Sequence, residues 1–201
     1  GVVGDHGWLD VSNKDAYNTA INTNGWEAQE GTNLDCGLKL ADNQLKQDAV
    51  KNIDKSSKNV VVLTDGQPTY YLKNWNWSLS DQSPDITIGE TKYAVGHNGQ
   101  DCDDNTFQNT KNSATNLKQS ASVYTVCFGA SGEKITNYDN QTGTDFWGSP
   151  TYSEISVGDY LKTKIATPEV PVTGTEKAKI YAYDAGNTDG LMSAFAAITD
   201  T

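Results

Sequence analysis

The sequence predicts an α/β domain, a three-layer sandwich in which a mostly parallel central sheet lies between helices. Three apolar runs, residues 59–64, 121–128 and 178–183, have the length of strands and lack the alternation of a half-solvated strand. Continuous apolar runs are typical of strands covered on both faces. Helical patterns separate these runs, which indicates α/β layering. We expect the 201 residues to form a single domain.

The helices are predicted from apolar residues that recur every three or four positions. The clearest pattern covers residues 34–53, where Leu34, Leu38 and Leu45 share one face. Residues 105–120 are predicted to form a polar helix that leads directly into the second apolar run, and we expect these two helices to cover opposite faces of the sheet. The other predicted helices are residues 14–22, 159–166 and 189–198, and short strands are predicted at residues 1–3 and 8–11.

Two long segments, residues 70–104 and 130–158, interrupt this alternation and are predicted to be loop insertions. Both contain many turn residues and aromatics, including Trp75, Trp77 and Trp147. Loops of this length are uncommon in compact domains and are usually functional. We expect both to lie near the carboxyl edge of the sheet, where their aromatics would offer a binding surface. The alternative is that they are ordered arms that pack on their own aromatic side chains.

Charge and cysteine content narrow the range of functions. The chain has 26 acidic and 15 basic residues, all of the latter lysine, for a net charge of −11. An acidic chain without arginine repels a phosphate backbone, which argues against nucleic-acid binding. No apolar run approaches the ~20 residues of a membrane-spanning helix. Cys36, Cys102 and Cys127 lack the paired spacing of a zinc site, and the pattern leaves open whether two of them form a disulfide.

Two polar motifs carry the candidate chemistry. Asp65 follows the run 59–64, and open α/β sheets bind ligands beyond the carboxyl ends of their strands. The alternative is a simple Asp-Gly turn. Thr32 precedes the long helix, where Thr32 and Asp35 are spaced as in a helix-capping box. A glycine inside a helix lowers the stability of the helix by up to about 1 kcal/mol relative to alanine. We therefore interpret Gly37 as a position that lets another group approach the helix closely.

Together these motifs resemble von Willebrand factor A domains, above all those of Gram-positive surface adhesins and pilus-tip proteins. One part of the resemblance is Gly-Thr-Asn at residues 31–33, which opens a helix. A second part is Val-Val-Leu-Thr-Asp-Gly-Gln-Pro-Thr at residues 61–69, followed by the strand at residues 123–129. The closing strand and helix also match. The resemblance covers most of the chain apart from the two insertions.

The resemblance implies a metal-ion-dependent adhesion site and no enzymatic activity. In that family three loops hold a divalent cation, usually Mg²⁺, with Mn²⁺ or Ca²⁺ as alternatives, and the cation binds a carboxylate of a partner protein. Thr32 matches the threonine of the second loop, and Asp65 matches the aspartate of the third. Hydroxyl, carboxylate and water oxygens suit Mg²⁺. The resemblance also implies an extracellular location on a bacterial cell surface or wall and a protein or host extracellular ligand.

This sequence departs from the family pattern at the first metal loop, which in the family reads Asp-x-Ser-x-Ser. At Asp10 the motif starts correctly, but Lys14 replaces the second serine. Too few residues separate Ser12 from Thr32 for the helices and strands that the family places there. We therefore expect the family's first strand, first helix and first metal loop to be absent from this chain. The missing central strand would come from a segment outside this sequence or from another chain.

Three other functions stay open. The first is a structural stalk or pilus subunit whose metal site does not function. The second is a phosphohydrolase that uses a strand-end aspartate, although the haloacid dehalogenase pattern would need its nucleophile where Leu63 stands. The third is calcium binding by the acidic run at residues 101–104, which a solvated loop would explain equally well.

Overall fold

The computed structural model describes residues 31–48, 50–75, 86–97, 101–169 and 179–199. The predicted helix at 14–22, the strands at 1–3 and 8–11, and Trp77 lie outside the described residues. The helices are α1 (Leu34–Leu45), α2 (Asp104–Ser120), α3 (Val157–Tyr160, continued by a π-helical turn, Leu161–Ile165) and α4 (Thr188–Thr199). The strands are β1 (Asn59–Thr64), β2 (Tyr70–Asn74), β3 (Ile86–Ile88), β4 (Thr91–His97), β5 (Ser122–Phe128), β6 (Lys134–Thr144), β7 (Pro150–Ser156) and β8 (Ala182–Ala185).

The main sheet is parallel and has the order β1–β5–β8, which confirms that the three apolar runs are neighbouring parallel strands. Residues 123–127 of the central strand β5 are buried without interruption. Helices on both faces of β5 explain its continuous apolar sequence. The last strand is shorter than predicted, because its ladder with β5 begins at Ala182.

Helices α1 and α2 pack on the same face of the sheet, so the prediction that they cover opposite faces is wrong. Leu38 of α1 and Phe107 of α2 share one buried cluster with Val123 of β5. Helix α4 covers the other face, where Ile198 packs in a cluster with Tyr124. An apolar stripe indicates which side of a helix is buried, but the chain connections decide which face of the sheet it covers.

Helix α1 ends at Leu45, well before the predicted residue 53. Beyond it the N–H groups of Lys46 and Gln47 bond to carbonyls three residues back, and the chain continues in turns. The predicted bounds of α2 and α4 hold to within one residue at each end. The buried side of α2 includes Thr106 and Thr110, which is why the sequence of this core helix looks polar.

The insertion predicted as a loop at residues 70–104 contains an antiparallel sheet with the order β2–β4–β3. Leu72 and Ile88 of this sheet bury themselves against Cys36 of α1. The loop prediction is wrong here because strands as short as β3 give too little alternation to be recognised. Tertiary packing on α1 stabilises them instead.

The second insertion, also predicted as a loop, contains a long antiparallel hairpin of β6 and β7, which we call the arm. Near its base the ring of Tyr138 meets that of Phe107 edge-on, with centroids 5.8 Å apart. Asp139 accepts from Lys111 at 2.6 Å and pairs with Lys164 at 2.7 Å. Desolvation raises the pKa of Asp139, but hydrogen bonds, chiefly from these two lysines, outweigh it and lower the pKa to about 2. The base of the arm is therefore fixed to the domain by an aromatic contact and an ion-pair network.

Candidate functional site

The carboxyl ends of β1, β5 and β8 meet at one edge of the main sheet. Thr64, Cys127 and Asp184 form one row across the three strands. Asp65 is the residue directly after this row, and it is exposed. It therefore lies where open α/β sheets carry their ligand-binding residues.

Thr32 lies on the loop before α1, beside the loop that carries Asp65. Its N–H donates to the hydroxyl of Thr69 at 2.8 Å, and its carbonyl accepts the N–H groups of Thr69 (2.9 Å) and Tyr70 (3.2 Å). The Thr32 hydroxyl oxygen is 3.8 Å from the position that a Cβ atom on Gly66 would occupy. The structure thus brings together the two loops that the sequence analysis singled out.

Gly31 allows the Thr32 loop to approach the start of β2 closely. Its φ of +88° lies in the left-handed region, which residues with a side chain rarely adopt. A Cβ at Gly31 would overlap the ring of Tyr70 and lie 2.7 Å from the hydroxyl oxygen of Thr69. The position of Thr32 therefore depends on a glycine before it, and the sequence alone did not reveal this requirement.

Asn33, and not Thr32, caps helix α1. The side-chain oxygen of Asn33 accepts the N–H of Cys36 at 3.0 Å. The predicted capping box is therefore wrong by one residue, because the backbone of Thr32 is bound to the loop after β1. No described residue makes the close approach suggested for Gly37: it is exposed, and among the described residues nothing lies within 4 Å of a Cβ there.

Asp35 is fully buried and joins three elements, which sequence reasoning missed. Its carboxylate accepts the N–H of Leu72 at 2.7 Å and the hydroxyl of Ser113 at 2.5 Å, and it forms an ion pair with Lys39. A buried carboxylate is tolerated only when such partners replace water. This network holds α1, which follows the Thr32 loop, against β2 and α2.

The electrostatic potential at the carboxyl edge of the main sheet favours a cation. Burial raises the pKa of the Cys127 thiol, and the nearby carboxylates of Asp184, Glu133 and Asp65 raise it further. A backbone hydrogen bond from Ala130 lowers this pKa in part. The three carboxylate contributions, unlike burial, report negative charge around the end of β5. Within the part of the chain that the structure describes, no three His, Cys, Asp or Glu side chains are grouped as a metal site. A cation here would therefore depend on hydroxyl and water oxygens, or on ligands from elsewhere.

The three cysteines are buried free thiols, so no disulfide joins any two of them in this structure. Burial raises the pKa of Cys102 to about 12, and it also raises the pKa of Cys36. Neutral, buried thiols are poor nucleophiles and poor metal ligands. The cysteines therefore belong to the core and not to the candidate site.

The acidic run at residues 101–104 begins helix α2. The carboxylate of Asp103 accepts the N–H of Thr106 at 2.7 Å, which is the geometry of a helix N-cap. The side chain of Gln67 accepts the N–H of Cys102 at 3.4 Å and so links this run to the loop after Asp65. The structure thus gives the run a structural role, and it does not test calcium binding.

Comparisons with protein-family models, with curated proteins and with solved structures find no match for this chain. Among the described residues, no helix is long and apolar enough to cross a bilayer.

Proposed function

We propose that this chain is a metal-dependent adhesion or protein-binding domain of a bacterial cell-surface protein, with a von Willebrand factor A-like fold. A divalent cation, in the first place Mg²⁺, would bind Thr32 through its hydroxyl and Asp65 through its carboxylate, directly or through water. Its open coordination positions would accept a carboxylate from an extracellular protein ligand. The proposed activity is binding and not catalysis.

The observation that carries this proposal is the contact between the Thr32 loop and the Asp65 loop. The backbone of Thr32 is hydrogen-bonded to Thr69 and Tyr70, where the Asp65 loop ends and β2 begins. Its hydroxyl oxygen is 3.8 Å from the Cβ position of Gly66, the residue after Asp65. Hydroxyl and carboxylate oxygens on two adjoining loops are the kinds of ligand that a hard cation prefers. The negative charges of Asp184 and Glu133 near the same edge add to the attraction.

The test is a titration of the ¹⁵N-labelled chain with Mn²⁺, which prefers the same oxygen ligands as Mg²⁺ and broadens nearby nuclear resonances even when it binds weakly. We expect selective broadening of the amide signals of Thr32, Asp65 and Gly66, and its reversal by excess Mg²⁺. Asp65→Asn should abolish most of this broadening with little change in stability, because Asp65 is exposed.

The matched control is Asp48→Asn, which removes the same charge from a side chain that is 94% exposed and far along the chain from the site. It should leave the Mn²⁺ effect at Thr32 unchanged. Equal broadening in the Asp65→Asn variant and in the wild type would refute the adhesion site. The chain would then be interpreted as a structural stalk or pilus subunit that retains the fold without a working metal site.

We also propose that the open edge of β1 receives the central strand that the family resemblance implies. Among the described residues β1 pairs with β5 alone. On the α4 face of β1, Val61 is 38% and Leu63 50% exposed, although both belong to the strongest apolar run of the sequence. The carbonyl of Lys58 accepts the N–H of Ser122 of β5. Because the backbone groups of successive residues point to opposite sides of a strand, the N–H groups of Val61 and Leu63 point away from β5. An added strand would pair with these N–H groups, and an added helix would cover the exposed side chains of Val61 and Leu63.

Amide hydrogen exchange on this chain alone tests the open edge. We expect the N–H groups of Val61 and Leu63 to exchange rapidly, whereas those of Val60 and Val62, which face β5, should be strongly protected. Protection of all four to the same degree would mean that this chain already covers the edge. The proposal of an added strand would then be withdrawn.

A further inference from the structure

The arm carries two aromatic side chains to a point well away from the domain. All residues from 140 to 151 are exposed, and among the described residues the side-chain hydrogen bonds of Asn140, Gln141 and Thr142 stay within the hairpin. At its end Phe146 is 92% and Trp147 85% exposed. The possibility that the arms bury their own aromatics therefore fails for Trp147.

The turn at the end of the arm, residues 145–149, is held by one carboxylate. Oδ1 of Asp145 accepts the N–H groups of Trp147 and Ser149, each at 2.8 Å, and the backbone of Asp145 bonds to Ser149 and Gly148. The rings of Phe146 and Trp147 contact one another edge to face, with centroids 5.2 Å apart, and both stay largely exposed. We call these two rings the aromatic tip. Its backbone is already ordered, so a partner would not have to immobilise it on binding.

Nothing in the packing of the domain requires the aromatic tip. Single exposed apolar residues are ordinary on protein surfaces, but two adjacent large aromatics on an ordered, projecting turn form an anchor for binding. Phenylalanine and tryptophan supply much contact area and have few side-chain torsions to immobilise. The tip therefore has the properties of a binding hot spot that is complete before its partner arrives.

The charge of the arm indicates what kind of partner fits. The arm contains three acidic side chains, Asp139, Asp145 and Glu154, and one lysine, Lys134, which is its first residue. Asp139 is paired at the base, so Asp145 and Glu154 give the outer part its negative charge. A bilayer anchor of two aromatics would need a second attraction, usually basic residues that meet anionic lipid, and the outer part of the arm, residues 135–156, has none. A protein cleft with apolar walls and a basic rim would match both the rings and the acidic flanks.

We propose that the aromatic tip inserts into an apolar, basic-rimmed cleft of another protein and forms a second binding surface besides the cation edge. The two surfaces are independent, because the tip needs no metal. Its contribution is an anchor of fixed shape, and the arm sets the distance between this anchor and the domain.

The test selects a phage-displayed library of small folded peptides, whose randomised residues line a concave face, against the chain in the presence of a chelator, so that cation-dependent binding cannot contribute. We expect enriched peptides that combine apolar residues with lysine or arginine. The Phe146→Ala/Trp147→Ala double variant should bind them at least about tenfold more weakly, as expected for the loss of two hot-spot side chains. The matched control, Ile180→Ala/Met192→Ala, removes exposed apolar groups elsewhere, 46% and 66% exposed, and should bind as wild type does.

Three outcomes would overturn the proposal: no peptide is enriched, the enriched peptides bind the tip variant as tightly as the wild type, or they bind both double variants equally weakly. Co-sedimentation of the wild type, but not of the tip variant, with phosphatidylcholine vesicles would also overturn it and assign the tip to a membrane. Circular dichroism should show that both double variants keep the fold, because the replaced side chains are exposed. A failure here leaves the Mn²⁺ result at Thr32 and Asp65 untouched, so the two proposals are tested separately.

Discussion

Asp35→Ala is expected to lower the free energy of unfolding by about 3 kcal/mol or more, a large part of the stability of an ordinary domain. The substitution leaves the buried N–H of Leu72 and the hydroxyl of Ser113 without their acceptor. Each such buried, unsatisfied group costs about 1–3 kcal/mol. Lys39 loses its counter-ion as well, although its side chain is 21% exposed and can turn towards water.

Urea unfolding followed by circular dichroism measures this effect, with extrapolation to zero denaturant. Asp48→Ala is the matched control, since Asp48 also pairs with a lysine but its side chain is 94% exposed. It should change the free energy of unfolding by no more than about 0.5 kcal/mol. If Asp35→Ala costs no more than Asp48→Ala, the buried network does not hold α1 to β2 and α2.

Gly31→Ala is expected to destabilise the domain by about 2 kcal/mol and to abolish the Mn²⁺ effect at Thr32. Alanine is strained at a φ of +88°, and its Cβ would overlap the ring of Tyr70. The overlap requires the side chains of Tyr70 and Thr69 to shift or the loop to move away from β2, and the Thr69 hydroxyl is itself the acceptor for the N–H of Thr32. One added methyl group should therefore affect both stability and the site.

Gly37→Ala provides a control with the opposite expected sign. Gly37 lies in helix α1, is exposed and has open space around its Cβ position. Alanine there should raise the free energy of unfolding by up to about 1 kcal/mol and leave the Mn²⁺ broadening unchanged. A Gly31→Ala variant that kept wild-type stability and broadening would show that the Thr32 loop does not depend on this glycine.

Hydrophobic pattern predicted the parallel strands of the main sheet and helix α4, whereas α2 was predicted as a polar helix that leads directly into β5. The strands and α4 are set by spacing along the chain: continuous apolar runs for strands covered on both faces, and a three-to-four-residue repeat for helices. The same pattern could not say that α1 and α2 share a face, because both arrangements bury the same stripe. It also missed β2, β3 and β4, which are stabilised by packing on α1 and not by any strong signal of their own.

For the site, local sequence singled out Thr32 and Asp65 but not what positions them. The capping prediction shows why. Thr32 and Asn33 are both good helix caps, but the hydrogen bonds between Thr32 and Thr69 hold Thr32 in the loop, so Asn33 caps the helix. Asp35 was assigned to that cap by its spacing, whereas the fold turns it inwards to three partners. A side chain's role in such cases depends on residues about 35 to 80 positions away, which local pattern cannot contain.

The sequence by itself determined the α/β class, the strand that ends directly before Asp65 and the acidic, arginine-free character of the chain, since these depend on composition and on short-range periodicity. Only the tertiary structure decided that the Thr32 and Asp65 loops touch, that Val61 and Leu63 are exposed on β1, and that the arm displays Phe146 and Trp147. Each of these facts depends on which distant segments pack together. Such packing depends on burial and hydrogen bonding over the whole fold, and it therefore cannot be predicted from any single stretch of sequence.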